Sequence, residues 1–381
     1  MKTLILTCNT GQGHNATAAA LRECLLQRGD TCDVTDALIF LSGSTSEVIG
    51  KMHVRIYRHA PRVFSVGYRM AEEHPRAFRR RTPLWRALTA GSRRIYHYLI
   101  EGGYDTVICT HAFSALMLTA VLERYPSLQL RSCFVATDYT CSPSVSESDL
   151  DEYIIPDDSL ADEFAACGVP RERLRGLGIP VRAAFARRGD KALAKARVGI
   201  PVDGKHLVMM CGSMGCGPME KITDLLAASM PADVTVSVVC GTNAALQKKL
   251  EKKYTDVPSL RILGFVDDVP LLMDSADLYL TKPGGISVSE ATAKRLPMVL
   301  IDAVAGCEDH NLRYFLERGM ACTESTPEAL VRRCLSLLSD EASLLQSMAA
   351  AMEKYDHADA AQKVCALLSD PCARGRGELG A

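Results

Sequence analysis

The sequence lacks the long apolar run that a membrane-spanning helix needs. In 381 residues no stretch approaches the roughly 18–20 consecutive apolar residues that cross a bilayer. Residues 1–10 contain neither a cationic leader nor a small-residue cleavage site, so we expect no signal peptide and a cytoplasmic protein. Aromatic residues make up only 6% of the chain, with Trp85 as the single tryptophan. The length fits two α/β domains, each able to bury its own core.

Cysteine spacings typical of zinc sites are also missing. The 15 cysteines are scattered, and no Cys-x-x-Cys pair occurs. The tightest arrangement, Cys211 and Cys216, lies in a glycine-rich loop without a nearby histidine that could complete a zinc site. Several others lie within apolar segments, where a free cysteine behaves as a small hydrophobic residue. We therefore expect reduced, mostly structural thiols and no metal or other cofactor.

Acidic residues are scarce in residues 51–100. That segment holds 12 lysines and arginines against two glutamates, although the whole chain has a net charge of only −1. A cluster of this sign attracts an anionic partner, such as lipid head groups, nucleic acid or an acidic substrate. The alternative is a solvated basic helix face without a ligand.

What the chain does contain is a regular alternation of strand-like and helical segments, which is typical of parallel sheets with crossover helices. The predicted helices include 16–27, 112–124, 326–338, 340–354 and 357–368. The predicted strands are 3–8, 32–35, 106–109, 131–137, 206–210, 234–239, 260–263, 278–281 and 298–301.

This alternation predicts an α/β protein with two doubly wound, Rossmann-like domains that face each other across a cleft. The N-terminal domain, on the acceptor and membrane side, is predicted at 1–181, with a mostly helical, basic insertion at 40–100. The C-terminal domain is predicted at 182–355. A C-terminal helix, 356–369, is expected to pack back towards the N-terminal domain, and 370–381 to form a disordered tail. Ligands in such folds bind beyond the carboxyl ends of the strands.

The first loop of interest, residues 10–16, directly follows the first strand and opens a helix. Its glycines permit a tight turn, and a helix N-terminus offers N–H groups to an anion. The loop matches the dinucleotide fingerprint G-x-G-x-x-A, with Asp33 at the end of a second strand, which suggests a nicotinamide enzyme. His14, however, is bulky for a backbone that must approach a pyrophosphate. It favours an acid–base or substrate-binding role, or a local bond at the helix start.

Two more glycine-rich loops occur in the second half. Residues 211–218 follow its first strand and lack the Gly-Lys-Ser/Thr ending of a nucleotide-hydrolase P-loop. Residues 281–290 again lead from strand to helix. Ser287 and Glu290 have the spacing of a capping box, which needs no ligand. In the functional interpretation, the open helix end and glycines bind a diphosphate, and a carboxylate one turn later binds the ribose hydroxyls.

A fourth loop, residues 305–311, is a polar cluster suited to hydrogen-bonding sugar hydroxyls. As a metal site it is disfavoured, because Glu308, Asp309 and His310 are consecutive and would point in different directions on a helix.

In this order and spacing, the four loops resemble those of monogalactosyldiacylglycerol synthases and processive diacylglycerol glucosyltransferases. These are GT-B enzymes related to the lipid II N-acetylglucosaminyltransferase of cell-wall synthesis. The resemblance covers roughly residues 3–365. It also includes Thr110 and His111, residues 136–139, residues 178–181 and residues 264–266.

The resemblance implies that the second domain binds a UDP-sugar. The backbone of Phe265 and Val266 would hold the uracil and Glu290 the ribose, while Glu308 and Asn311 would contact the sugar and its phosphate. The family often has glutamine in place of Cys307, so the donor sugar is left open. The implied donor-binding residues are Gly212, Ser213, Met214, Gly215, Gly217, Phe265, Val266, Lys282, Pro283, Gly284, Gly285, Ser287, Glu290, Cys307, Glu308, Asp309 and Asn311.

The implied reaction is an inverting hexosyl transfer from the UDP-sugar to a membrane lipid, with diacylglycerol as the expected acceptor. A general base must take the proton of the attacking hydroxyl; His14 is the first candidate and Asp138 the second. Helix N-termini can stabilise the departing diphosphate without a metal. The acceptor and an anionic membrane surface, at the inner face of the cell membrane, are expected to contact Gly13, Arg79, Arg80, Arg81, Trp85 and His111.

Other functions use the same loops differently. A UDP-sugar 2-epimerase of the same architecture would need no lipid and would leave the basic insertion without a role. A nicotinamide oxidoreductase would leave the loops of the second half unexplained. A non-catalytic protein that binds nucleotide-sugars, or a transferase with another acceptor, stays possible. No nucleic-acid partner is expected.

Overall fold

The computed structural model describes residues 1–9, 12–42, 70, 73–301 and 306–370. It divides into two compact units. The first comprises Met1–Ala183, Val304–Cys307 and His357–Ala381, and the second comprises Ala184–Ala303 and Glu308–Asp356. The predicted domain boundary, between residues 181 and 182, lies close to this division. The predicted tail lies outside the described residues from 371 onwards.

The first unit is built on a six-stranded parallel sheet in the order β2-β1-β3-β4-β5-β6. The buried side chains Ile5, Ile108 and Val135 belong to one hydrophobic cluster on one face of this sheet. The α-helices of this part of the chain are α1 (Gln12–Gln27), α2 (Pro83–Leu88), α3 (Ser92–Gly102), α4 (Ala112–Arg124) and α5 (Ala161–Ala166). The strands are β1 (Lys2–Thr7), β2 (Thr31–Asp36), β3 (Thr106–Cys109), β4 (Arg131–Val135), β5 (Glu152–Ile155) and β6 (Leu174–Gly176).

The second unit contains another six-stranded parallel sheet, in the order β12-β11-β10-β7-β8-β9. Its apolar positions, among them Leu207, Val236 and Leu280, pack against the helices at Met219–Ser229 and Pro327–Ser339. The helices are α6 (Ala183–Ala186), α7 (Lys191–Val198), α8 (Met219–Ser229), α9 (Ala244–Lys253), α10 (Val269–Ser275), α11 (Gly285–Lys294), α12 (Cys307–Glu317), α13 (Pro327–Ser339) and α14 (Ala342–Lys354). The strands are β7 (Lys205–Met210), β8 (Val234–Val239), β9 (Leu260–Leu263), β10 (Leu278–Thr281), β11 (Met298–Leu300) and β12 (Ala321–Thr323).

Helix α15 (Ala360–Ser369) follows the second unit in sequence but belongs to the first. Its buried residues Ala361, Val364, Cys365 and Leu368 share a hydrophobic cluster with Leu21 and others of α1. The side chain of Arg131 in β4 donates a hydrogen bond to the carbonyl of Leu368 at 2.7 Å. The first sheet is therefore covered on this side by helices from both ends of the described chain.

Neither a disulfide nor a membrane-spanning helix occurs among the described residues. All 14 cysteines of the described residues are free. Among those residues, no helix combines the length and the apolar character that crossing a bilayer requires.

Candidate active site

The strand orders locate the two places where ligands are expected. In an open parallel sheet, ligands bind at the carboxyl edge where the strand order reverses, because neighbouring loops leave in opposite directions there. In the first sheet the reversal lies between β1 and β3, and in the second between β7 and β10. The segments after β1 and β3 carry His14 and His111, and the segments after β7 and β10 carry two predicted donor loops.

His14 lies in the first turn of α1, after Gly13, and is held by residues distant in sequence. Its Nδ1 is 2.8 Å from the carbonyl oxygen of Thr110 and 3.0 Å from Oγ1 of Thr137. A carbonyl oxygen can only accept, so this contact requires a proton on Nδ1. The neutral ring then has its lone pair on Nε2, which is the nitrogen able to accept a proton from a substrate. The geometry thus fits a general base.

His111 is in the opposite tautomeric state. It is the N-cap of α4, and its Nδ1 accepts a hydrogen bond from the backbone N–H of Phe113 at 3.0 Å. The proton of the neutral ring is therefore on Nε2. The His14 and His111 rings meet edge to face with centroids 4.5 Å apart. The structure thus brings a proton acceptor and a hydrogen-bond donor together at one switch point. Asp138, the second candidate base, is half-buried directly after Thr137.

The nicotinamide interpretation fails at Asp33. A ribose-binding acid should stand at the carboxyl end of the second strand, but Asp33 lies in the first half of β2. Its carboxylate accepts a 2.7 Å hydrogen bond from the hydroxyl of Tyr104. The strand ends instead at Asp36, which caps a short 3-10 helix through Leu38 N. The sequence prediction that Asp33 ends the strand is wrong because β2 extends further than its apolar residues indicate. Gly11 of the fingerprint lies outside the described residues.

In the second unit, the loop after β7 needs glycine for its conformation. Gly212 and Gly215 have φ angles of +68° and +54°, in the left-handed region. A Cβ at Gly215 would lie 2.3 Å from the carbonyl oxygen of Cys240. The next loop holds this one in place, since Thr242 N donates to the Ser213 carbonyl at 2.8 Å. The backbone is therefore packed too closely for side chains. Met214, half-buried, and Gly217, exposed, lie in the same loop.

The loop after β10 holds an ion pair. Nζ of Lys282 lies 2.7 Å from Oε1 of Glu308, and their side chains are only 19% and 10% exposed. Asn311 is completely buried and donates to the carbonyl of Pro283 at 2.9 Å. These two contacts from helix α12 thus hold residues 282–285 in place. Cys307 and Asp309 lie in the first turn of α12, Cys307 half-buried and Asp309 exposed.

The capping-box interpretation of Ser287 and Glu290 is wrong. Gly284 is the N-cap of α11, with extended backbone angles and no side-chain cap, and the helix begins at Gly285. Ser287 is already inside the first turn, so it cannot have the extended conformation that a capping residue requires. Ser287 and Glu290, three residues apart, lie on the same helix face and are half-buried. No side-chain hydrogen bond from the N-cap residue therefore caps the first turn of α11.

The predicted uracil segment follows β9. Phe265 is 66% exposed and Val266 half-buried. The preceding Gly264 accepts a hydrogen bond from Gly241 N at 3.1 Å, in the loop that also holds Ser213. The loops after β7, β8 and β9 are therefore connected by backbone hydrogen bonds along one sheet edge.

The basic segment is only partly described, because residues 43–69 and 71–72 lie outside the described residues. Arg79 and Arg81 are exposed. Arg80 instead forms a 2.6 Å ion pair with Glu123 of α4 and is close to Glu147. Its guanidinium is paired within the first unit but stays 39% exposed, and its contact with a membrane remains a prediction. Trp85 lies half-buried on α2.

Sequence reasoning overlooked the two threonines that orient His14. Thr137 lies inside a segment singled out for its resemblance, directly before Asp138, but no pattern assigned it a partner. Thr110 contributes its backbone carbonyl, which has no sequence signature. Only the pairing of β1 with β3 and of β3 with β4 brings these residues together.

Comparison with known families agrees with this geometry. Residues 14–181 match the family described as monogalactosyldiacylglycerol (MGDG) synthase. Residues 219–359 match the glycosyl transferases group 1 family. The chain is thus similar to glycosyltransferases over both of these stretches. The resemblance inferred from the four loops is thereby confirmed.

Two curated relatives of this chain are processive diacylglycerol beta-glucosyltransferases. The one from Staphylococcus saprophyticus is 25% identical, with 96% of this chain and 91% of the relative covered. The one from Bacillus cytotoxicus is 27% identical, with 97% and 94% covered. The likeness therefore extends over nearly the whole of both chains.

Solved structures show the same fold. MurG of Acinetobacter baumannii superposes with a TM-score of 0.64 at 14% identity, covering 96% of this chain and 99% of that one. The UDP complex of S. aureus MnaA also gives 0.64, at 16% identity with 96% and 95% covered. The predicted α/β, GT-B architecture is confirmed; the cleft between its domains stays a prediction.

Proposed function

We propose that the protein transfers a hexose from a UDP-sugar to the hydroxyl of diacylglycerol in a membrane, with inversion at the anomeric carbon. The observation that carries this proposal is the reversal point of the second sheet, where a glycine-rich loop, the Lys282–Glu308 pair and the uncapped start of α11 converge. The curated relatives, processive diacylglycerol beta-glucosyltransferases, support the lipid acceptor.

The donor side needs charge stabilisation for a departing diphosphate. The first-turn N–H groups of α11 carry the positive end of the helix dipole. Lys282 adds a cation in a largely buried position, where electrostatic interactions are stronger than in water. In this proposal, Glu290 binds the ribose, Glu308 and Asn311 contact the sugar side, and the loop containing Phe265 and Val266 holds the uracil. No metal or other cofactor takes part.

The acceptor side needs a base for the attacking hydroxyl. Donation from Nδ1–H to the Thr110 carbonyl, with Thr137 Oγ1 also close to Nδ1, orients His14 so that the lone pair of Nε2 can receive the proton. The Nε2–H of His111 is suited to donate a hydrogen bond to the acceptor oxygen. A single displacement with one base gives inversion, so no covalent sugar–enzyme intermediate is required.

Membrane contact follows from the acceptor. Diacylglycerol stays in the bilayer, so the enzyme must work at its surface, which we place at the cytoplasmic face of the cell membrane. Exposed Arg79 and Arg81 attract anionic lipids, each basic residue near such a surface contributing about 1 kcal/mol. Leu84, 40% exposed on α2, and the neighbouring Trp85 supply apolar contact.

The decisive experiment incubates the protein with radiolabelled UDP-glucose or UDP-galactose and liposomes containing diacylglycerol and an anionic phospholipid. We expect label in the lipid fraction with at least one donor, and unchanged transfer in the presence of EDTA. Liposomes without diacylglycerol are the control. Conversion of one UDP-sugar into another without a lipid product would instead indicate an epimerase, and tight NAD(H) binding would contradict both functions.

A further inference from the structure

An ion pair lies where the diphosphate of the donor is proposed to bind. Lys282 directly follows β10, and Glu308 lies in the first turn of α12. Nζ of the lysine is 2.7 Å from Oε1 of the glutamate, and the two side chains are only 19% and 10% exposed. Both charges are therefore largely shielded from water.

Two glycines of the proposed donor site border this pair. A Cβ at Gly212, in the loop after β7, would lie 3.0 Å from Cε and 3.9 Å from Nζ of Lys282. A Cβ at Gly284, the N-cap of α11, would lie 3.9 Å from Oε1 of Glu308. The lysine thus lies against the glycine-rich loop, and the carboxylate lies against the helix start.

A phosphate at the start of α11 would meet charges of both signs. The N–H groups of the first turn and the ammonium of Lys282 attract it, whereas the carboxylate of Glu308 repels it. At a poorly solvated position, two charges about 4 Å apart interact several-fold more strongly than in bulk water. Moving the lysine from Glu308 to the phosphate also breaks a largely buried ion pair, which is costly for the carboxylate that stays behind.

The hexose of a nucleotide-sugar can replace what the carboxylate loses. Its hydroxyls donate hydrogen bonds, and those donated to a carboxylate are roughly twice as strong as neutral ones. In the proposed function Glu308 contacts the sugar side of the donor. A UDP-sugar therefore compensates Glu308 for the lysine, whereas UDP brings the phosphate charge without the hexose. One carboxylate thus favours the substrate and disfavours the product.

We propose that Glu308 discriminates between the donor and its product: Lys282 passes from Glu308 to the diphosphate when the UDP-sugar binds, and hexose hydroxyls take its place on the carboxylate. Once the hexose has been transferred, Glu308 repels the remaining UDP, and Lys282 returns to it as UDP leaves. The inference rests on the proposed function and adds to it a cause for product release.

Glu308→Gln tests the proposal, because it keeps the shape of the side chain and removes its charge. We expect the Kd for UDP, measured by calorimetry, to fall about 3- to 30-fold as repulsion and the broken ion pair disappear. The ratio of the Kd for UDP to that for the UDP-sugar should also fall, because the hexose loses a charge-assisted partner. The Ki of UDP in the transfer assay should fall with its Kd.

Other roles of Glu308 predict different results. A residue that only binds the hexose would leave the UDP affinity unchanged in Glu308→Gln. A residue that only holds residues 282–285 in place would weaken UDP binding together with a lower melting temperature. Either result, in a protein whose wild type binds UDP, would overturn this inference alone. A wild-type protein that binds no UDP would overturn the proposed function and the inference together.

A double-mutant cycle shows whether the lysine is exchanged or shared. Lys282→Met removes the cation, and combining it with Glu308→Gln gives a neutral pair that leaves no buried charge uncompensated. If Lys282 leaves Glu308 on binding, Lys282→Met should weaken UDP binding more in the Glu308→Gln background than in the wild type, because no ion pair then has to be broken first. Equal losses in both backgrounds would show that Lys282 keeps its contact with Glu308 and would overturn the exchange.

Asp277→Asn is the matched control. Asp277 pairs with Nζ of Lys195 at 2.8 Å, and these side chains are 16% and 6% exposed. Asp277 precedes β10, so it lies at the opposite edge of the sheet from Lys282. Removing its charge should lower the melting temperature and leave the UDP affinity unchanged. UDP binding that becomes equally tighter in Asp277→Asn would assign the effect to overall charge and overturn the inference.

Discussion

Replacing His14 with asparagine separates its two hydrogen-bonding roles. The asparagine amide nitrogen can take the position of Nδ1 and donate to the Thr110 carbonyl, which accepts from His14 at 2.8 Å. What disappears is the basic Nε2. An alanine would also break the contacts with Thr110 and Thr137 and could disturb the start of α1. His14→Asn is therefore the sharper test of a general base.

The expected loss of kcat in His14→Asn follows from what a general base contributes to the rate. General-base catalysis is worth about 10²- to 10⁴-fold in rate, or roughly 2.7–5.4 kcal/mol of barrier at 1.36 kcal/mol per tenfold. We expect kcat to fall within that range, with UDP affinity and melting temperature preserved. Thr137→Val removes only the 3.0 Å contact to Nδ1. Because the Thr110 carbonyl still fixes the tautomer, this variant should lose about 2- to 10-fold.

The assay is transfer of radiolabelled hexose to diacylglycerol liposomes at saturating donor, with UDP binding measured separately by calorimetry. Asp138→Asn serves as the comparison. If His14→Asn retains more than about a tenth of the wild-type kcat while Asp138→Asn abolishes transfer, Asp138 is the base. If UDP affinity falls in parallel with kcat, His14 binds the donor.

Three further predictions concern charge. A hydrogen bond with Cys141 lowers the pKa of the exposed Cys167 thiol to about 7. The alkylation of Cys167 by iodoacetamide should therefore rise steeply between pH 6 and 8, and this midpoint should move up in Cys141→Ala, which has no side-chain donor. An ordinary midpoint near 8.5 in the wild type would contradict the contact. Burial lowers the pKa of His206 to about 4, so between that pH and about 6.5 the unfolded state binds more protons than the folded state. The free energy of unfolding should therefore fall by about 3 kcal/mol in total as the pH drops through this window. An equally steep loss of stability in His206→Gln would assign the pH dependence to other groups. The double variant Arg79→Gln with Arg81→Asn should bind anionic liposomes about 30-fold more weakly at low salt, at about 1 kcal/mol per charge. Arg80→Gln breaks the pair with Glu123 and should lower the melting temperature instead. Unchanged liposome binding in the double variant would exclude this surface as the membrane anchor.

The sequence predicted the second sheet better than the first. Strands β8, β9 and β10 and helix α4 have the bounds that their apolar periodicity indicates. Strands β5, β6 and β12 were not predicted. The last two have only three residues each, too few for a pattern of alternation to be distinguished from a loop. Strand β4 ends at Val135 and is shorter than predicted. Ala136 N still donates to the Ile154 carbonyl of β5 at 2.9 Å, and the side chain of Thr137 contacts His14.

The candidate site was predictable wherever local sequence determines local backbone. Glycines at 212 and 215 indicate a tight loop, and their positive φ angles agree. The environment of His14 was not predictable, because its partners are 96 and 123 residues away in sequence. Such contacts depend on sheet order, which periodicity does not contain.

Helix α15 has a consequence for how the protein is made. Ala361, Val364 and Leu368 complete the apolar cluster around Ile5 and Leu21, yet they leave the ribosome only after the whole second unit has been synthesised. The apolar side chains of α1 are therefore partly uncovered while residues 184–356 are synthesised and fold. Expressed alone as 1–183, it would expose that apolar surface and depend on chaperones. Supplying residues 357–370 as a separate peptide should restore its solubility.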